Sequence, residues 1–398
     1  MYVDRRAIAR NAEVASVLER MCQILEPRES QQELLKTRYE AVGNWLASAD
    51  DHELNSLSIY LHGSVALGTM IRPIVGGEID VDLVAFASIV TPTTSPALFK
   101  RKIGDRLRAN GTYAKLLVEK QRCWRLDYAG EFHLDITPSI PNPSCALRGE
   151  LVPDKALKLW KPTNPRSYKL QFLRRAALVP RIRGKAALGE DSRYRADGFE
   201  AYPRPRTFKG VLPRCVQILK RHRDRYFSNL GRDSGLAPIS VVLTTLAAWS
   251  YEHCVTTETY DDELELLYDV VRHMPDFIDT RLAQGGRLWF VWNETTSGEN
   301  FAEKWNAEPA RAQAFFEWHR RALADIEQLS EVEGIDTLIK SLGNAFGDEQ
   351  ARNVLAHMTR EISAARQNQS LFAAPVIGLS TVAVPSSTAV RSNTFFGN

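Results

Sequence analysis

Cysteine is scarce in this sequence of 398 residues: Cys22, Cys123, Cys145, Cys215 and Cys254 are scattered, odd in number and contain no CxxC pair. That argues against a disulfide framework or a structural zinc site, and it fits the reducing cytosol as the expected location. No apolar run approaches the roughly 18 residues needed to cross a membrane. The basic start MYVDRRAIARNAEV has no apolar stretch behind it, so no secretory leader is expected there. Internal repeats are absent as well. What remains is ordinary for a globular chain, with 44% hydrophobic and 25% charged residues, and enough length for two lobes.

Net charge is also small, at +3, but it is unevenly spread. Lys161 to Arg232 carries 19 Lys and Arg against five Asp and Glu, an excess of +14 that leaves −11 on the rest. Such a stretch is either a solvated basic face or a surface that meets polyphosphate or nucleic acid, and composition does not choose between them.

Apolar spacing predicts helices over 5–26 and 29–48, a strand over 57–61, a second over 78–86 and a helix over 96–109. Residues 114–128 and 131–136 read as two strands of a hairpin turned at Ala129-Gly130. The Pro-, Arg- and Gly-rich stretch 141–206 predicts loops and short helices. Helices are then expected over 208–227, 238–253, 260–274, 308–329, 333–343 and 348–366, before a flexible end at 367–398. The fold class is thus α/β (α+β), a strand-and-helix front half followed by a helical back half.

The most informative segment is HGSVALGTMIRPIVGGEIDVDLV, residues 62–84. Alternation along a strand puts Ile79, Val81 and Leu83 on one face and Glu78, Asp80 and Asp82 on the other, with carboxylates about 7 Å apart. Strands disfavour aspartate, and like charges resist ionising together unless something positive lies between them. The same alternation at 132–136 puts His133 and Asp135 on one face. If the two strands are neighbours, Asp80, Asp82 and Asp135 form a three-carboxylate cluster suited to Mg²⁺ or Mn²⁺. Two such ions about 4 Å apart can activate a hydroxyl and neutralise a leaving pyrophosphate. Gly63-Ser64, sixteen residues before Asp80, opens a short helix whose backbone N–H groups can hold a phosphate.

Gly63-Ser64, Asp80-x-Asp82 and Asp135 together resemble the DNA polymerase β-like nucleotidyltransferase superfamily. The pair VQILKRHRDRYF (216–227) and APISVVLTTLAAW (237–249) is similar to its bacterial cyclic GMP-AMP synthase-like members, the CD-NTases of anti-phage signalling. The resemblance covers residues 57 to about 250. It implies a nucleotidyltransferase lobe over 1–205, with the N-terminal helices packing across both lobes, a helical lobe over 206–366, and a cleft between them. It implies an enzyme that joins nucleoside triphosphates, ATP or GTP among them, into a cyclic di- or trinucleotide with release of pyrophosphate. Asp80, Asp82 and Asp135 would hold two Mg²⁺ ions, and Lys220 and Ser240 would touch the donor triphosphate. It further implies a ubiquitin-transfer-like partner acting on an end such as SNTFFGN (392–398).

Other readings of the residues stay open. Lys220 can pair with Asp224 at i,i+4 instead. Arg72 suits a phosphate or a surface ion pair. His62 and His133 read as packed or exposed side chains rather than ligands, and Trp124 and Tyr128 as core or strand-pair residues. A superfamily enzyme acting on RNA or another acceptor, and a non-catalytic nucleotide-binding module, are the alternatives.

Overall fold

A computed structural model of the chain describes residues 5–74, 77–154, 158–183, 209–284, 286–374, 378–380 and 387–390. The chain opens with α1 (Arg5–Leu25), α2 (Glu29–Ala47) and a short α3 (His52–Asn55). There follow β1 (Leu57–His62), α4 (Gly63–Leu67), β2 (Ile79–Ala87), α5 (Pro96–Arg108) and α6 (Gly111–Leu116). Next come β3 (Leu117–Glu119), β4 (Trp124–Tyr128), β5 (Phe132–Pro141), β6 (Glu150–Asp154), β7 (Leu159–Thr163) and α7 (Pro165–Ala176). The second half contains α8 (Val211–Ser228), α9 (Ser240–Thr257), α10 (Glu263–His273) and the hairpin β8 (Asp279–Ala283) and β9 (Gly286–Phe290). It continues with α11 (Glu303–Ala307), α12 (Ala310–Glu331), α13 (Ile335–Phe346) and α14 (Asp348–Gln367), and then β10 (Phe372–Ala374), β11 (Gly378–Ser380) and β12 (Thr388–Ala389).

One sheet organises the front half, in the order β1-β2-β5-β4-β3, with β6 and β7 extending it from the far end of β5. Its central pair, β2 and β5, is parallel, while the other neighbours run antiparallel. The parallel pair needs a crossover, and α5, α6 and the β3–β4 hairpin supply it. The alternating apolar residues Ile79, Val81, Leu83, Leu134 and Ile136 point into a core shared with Leu35, Tyr39 and Val42 of α2 and with Phe99 and Ile103 of α5. Trp124 closes that core: its indole N–H donates to the Lys100 carbonyl at 2.7 Å, and a Cβ on Gly104 would fall 2.3 Å from its ring. Tyr128 stacks on Phe132 with ring centroids 4.7 Å apart, the strand-pair placement expected of it.

The second core is helical. It gathers α8, α9, α10, α12 and α13 around residues such as Leu219, Leu243, Val270 and Trp318, and it takes in Val14, Leu18 and Met21 of α1. The two N-terminal helices therefore serve different cores, α2 against the sheet and α1 against the helices. Arg214 of α8, only 6% exposed, fastens α1 by donating to Glu19 at 2.7 and 2.8 Å and to Glu26.

Several expectations need correction. The first hairpin strand does not begin at Ala114: Asn110 caps α6, accepting from the backbone of Thr112 and Tyr113, and β4 starts only at Trp124. The stretch 141–206 contains two strands, β6 and β7, and an ordered helix, α7, capped by Asn164. In the expected flexible end, β10, β11 and β12 pair into a small antiparallel sheet. Residues 184–208 of the basic segment and the SNTFFGN end lie outside the described residues.

Candidate active site

The parallel pairing decides where the acidic residues stand. In register, Asp82 is opposite Asp135 and Asp80 is opposite His133. Residues paired in register on adjacent strands share a face, so Asp80, Asp82 and Asp135 all project from the same side of the sheet, away from its core. The three acids are joined by a group that the sequence reading missed. Arg125 of β4 pairs in register with Asp135 and donates to both its oxygens, at 2.7 and 2.8 Å, while reaching Asp80 Oδ1 at 3.2 Å. A guanidinium thus supplies the positive charge that such close carboxylates require. The same period-2 alternation, carried along 124–128, would have put Arg125 on the acidic face.

Burial raises the Asp82 carboxyl above the ordinary carboxylate range; His62 draws it back and Asp135 pushes it up further. Asp80 is more open, with 59% of its side chain exposed, yet desolvation of the enclosed part raises its carboxyl too, against the pull of Arg125. Carboxylate oxygens gathered on one face around a cation are a donor set that fits a hard divalent ion.

Gly63 and Ser64 sit where β1 meets the acidic face, since His62 pairs in register with Asp82. Gly63 has φ +61°, and a Cβ there would lie 2.2 Å from Asp82 Oδ2. Only glycine lets the carboxylate rest against this turn. The five-residue helix α4 then closes with Gly68 in the left-handed region and the Thr69 N–H on the Ser64 carbonyl.

From the other core, α8 reaches the same region. Lys220 is 6% exposed and donates to the Thr69 carbonyl at 2.9 Å, beside Gln217 on the Met70 carbonyl at 2.9 Å. Burial, with Arg223 as the next cause, lowers the Lys220 ammonium to about 8. The alternative pairing with Asp224 is not formed, because Asp224 takes Arg223 at 2.6 Å. Leu212 to His222 of α8 is buried throughout, so Lys220 stands on a covered stretch of the helix. Ser240 is the first residue of α9, and its Oγ lies 3.0 Å from Arg223 Nη1, so Arg223 links the Lys220 helix to Ser240. Arg72 donates to the Ile24 carbonyl instead of meeting a surface acid.

His133 lies between Glu78 and Asp127, its Nδ1 3.5 Å from Asp127 Oδ1. These three offer ligand atoms within 4.8 Å of one another, one strand step from the aspartates. This group is separate from Asp80, Asp82 and Asp135, although both stand on the same face.

The basic segment is largely neutralised where it is described. Arg175 pairs with Glu252 and Glu294, Arg174 with Glu252, Arg183 with Asp261, Lys209 with Glu26, and Lys161 with Asp154 and Glu303. The acids come from elsewhere in the chain, so the local excess closes inter-element contacts. Among the described residues, no helix is long and apolar enough to cross a membrane.

Residues 13–175 match the family model of the Second Messenger Oligonucleotide or Dinucleotide Synthetase domain. The chain is 27% identical over 395 residues to a c-di-GMP synthase of Roseivirga ehrenbergii, covering 97% of this chain and 98% of that one. Its fold is similar to that of the Bradyrhizobium diazoefficiens CD-NTase CdnG solved with GTP, at a TM-score of 0.66 and 20% identity over 87% of this chain and 98% of that one. It is also similar to Escherichia coli MS115-1 CdnC solved with HORMA-deltaN, at a TM-score of 0.58 and 13% identity over 83% of this chain and 96% of that one.

Proposed function

We propose that the chain is a nucleotidyltransferase similar to the bacterial cyclic GMP-AMP synthase-like enzymes, and that it joins nucleoside triphosphates into a cyclic di- or trinucleotide second messenger, with GTP among its substrates and pyrophosphate as the leaving group. The observation that carries this reading is the register of β2 on β5, which sets Asp82 beside Asp135 on the face of Asp80. The relative named as a c-di-GMP synthase and the GTP in the CdnG structure favour a guanine nucleotide.

In this proposal Asp80, Asp82 and Asp135 hold Mg²⁺ or Mn²⁺, which when bound would neutralise the triphosphate and favour ionisation of the attacking hydroxyl. Gly63 allows the polyphosphate to approach the backbone, and Ser64 donates to it. Lys220 brings positive charge from the helical side, and Ser240, placed through Arg223, donates a hydrogen bond to the donor triphosphate. Each group acts by position and charge, as phosphoryl transfer requires. The proposed lobes, 1–205 and 206–366, meet at these residues, and α1 ties one to the other. A role in anti-phage defence, and a regulator that acts on the C-terminal end, belong to the same reading.

Action on RNA loses much of its support, since most of the described part of the basic segment is engaged in ion pairs. Mass spectrometry of products formed from the four nucleoside triphosphates with Mg²⁺ or Mn²⁺, after phosphatase treatment, tests the proposal. A phosphatase-resistant cyclic product is expected; extension of added RNA with no small product would refute it.

A further inference from the structure

A second set of charged groups lies away from the carboxylates. A cavity of about 200 Å³ opens between the end of α1, the Arg72–Ile74 stretch, α8 and the first turn of α14. None of the seven candidate site residues lines it. Ile79 does, and neighbouring strand residues point to opposite faces, so the cavity lies behind the face that carries Asp80.

Two guanidinium groups line this space. Arg221 is 2% exposed, and its Nε and Nη1 have no hydrogen-bond partner among the described residues. Its remaining nitrogen, Nη2, reaches the Arg72 carbonyl at 3.4 Å. Arg72 gives one nitrogen to the Ile24 carbonyl, and its buried Nε is likewise without a partner among the described residues. Buried donors are nearly always satisfied, and a buried cation is costly unless it is paired. Burial presses both groups below their ordinary basicity. The acids that line the cavity, Glu131 and Glu349, are exposed.

We infer that this cavity binds a phosphate-bearing anion between Arg72 and Arg221, apart from the catalytic carboxylates. A guanidinium fork matches phosphate oxygens in pairs, which distinguishes it from a point charge. The volume is below the roughly 300 Å³ at which pockets for drug-sized ligands begin, so it takes a phosphate or short polyphosphate group. Arg221 follows Lys220 on α8, about 100° further round the helix. The Lys220 and Arg221 side chains hold the Thr69 and Arg72 carbonyls, so an occupant stiffens the stretch that leads from α4 to β2.

The test uses the full-length protein without divalent cations, with inorganic phosphate and pyrophosphate as probes. Calorimetry and the thermal midpoint are followed for the parent, Arg221→Met, Arg72→Met and Lys220→Met. The parent should bind and its midpoint should rise with probe concentration. Arg221→Met and Arg72→Met should each weaken binding by about tenfold or more, while Lys220→Met stays within about twofold. Binding of pyrophosphate but not of phosphate would assign a polyphosphate; the reverse would assign a single phosphate group. No binding by the parent, or loss of binding in Lys220→Met but not in the arginine variants, would overturn the inference. Arg72 is partly exposed, so its variant decides the matter should Arg221→Met fail to fold. Catalysis is not read, so an inactive enzyme with this binding pattern leaves the inference standing.

Discussion

Gly63 touches Asp82 so closely that a Cβ on the glycine would fall 2.2 Å from the carboxylate oxygen. The turn that faces the triphosphate in the proposed mechanism and the acid that faces the metal are therefore one packed unit. Gly63→Ala must displace Asp82 and also strain a backbone with φ +61°. Product formation should fall by about a hundredfold or more, since misplacement by about 1 Å carries that penalty. The thermal midpoint should fall only modestly. Steady-state kinetics with a melting curve checks both, and parent-like turnover would contradict this account of the turn.

Lys220 sets an alkaline limit. Its ammonium is lowered to about 8, from an ordinary 10.5, by burial and then by Arg223. The charged form, which would meet phosphate in the proposed mechanism, is present below about pH 8 and is lost as pH rises through it. Accordingly kcat/KM, which reports the free enzyme, should fall across that value, and Lys220→Arg should remove that limb. The unfolded chain keeps the proton to higher pH, so the contribution of Lys220 to stability rises with pH over the same interval. Loss of activity there is then not unfolding.

Arg125 makes a prediction on the acid side. It opposes the upward shift of both Asp80 and Asp82. Arg125→Met should raise those carboxyls, so that activity is lost at higher pH as the solution is acidified, by about one pH unit. A pH–rate profile measured at saturating Mg²⁺ reads the shift; an unchanged acid limb would remove Arg125 from the electrostatics of the site.

Much of this site was legible because the period of a strand is short and strict. Asp80, Asp82 and Asp135 alternate with apolar neighbours that have nowhere to go but a core, and the register then follows from burial. Arg125 was missed because an arginine in a strand is unremarkable until its partner strand is known. The burial of Lys220 is not legible in the sequence because helical periodicity assumes one exposed face, whereas α8 is covered on nearly all sides from Leu212 to His222. The strands β6 and β7 were hidden by Pro153 and Pro162, which usually break a strand but here belong to a pair at the end of the sheet.

The contact between α1 and α8 predicts a stability effect. Arg214 is almost wholly buried against Glu19 and Glu26. Arg214→Ala leaves both acids without it and should lower the unfolding free energy by about 3 kcal/mol. Urea denaturation measures this, and a loss below about 1 kcal/mol would show the pair to be superficial.

The most direct measurement is the rate of product formation for Asp82→Asn, Asp135→Asn and the double variant, each confirmed to be folded. If the two carboxylates work as one site, each single change should cost about a thousandfold or more and the double change scarcely more than either. A parent-like rate for Asp135→Asn, or losses that simply multiply in the double variant, would contradict the account.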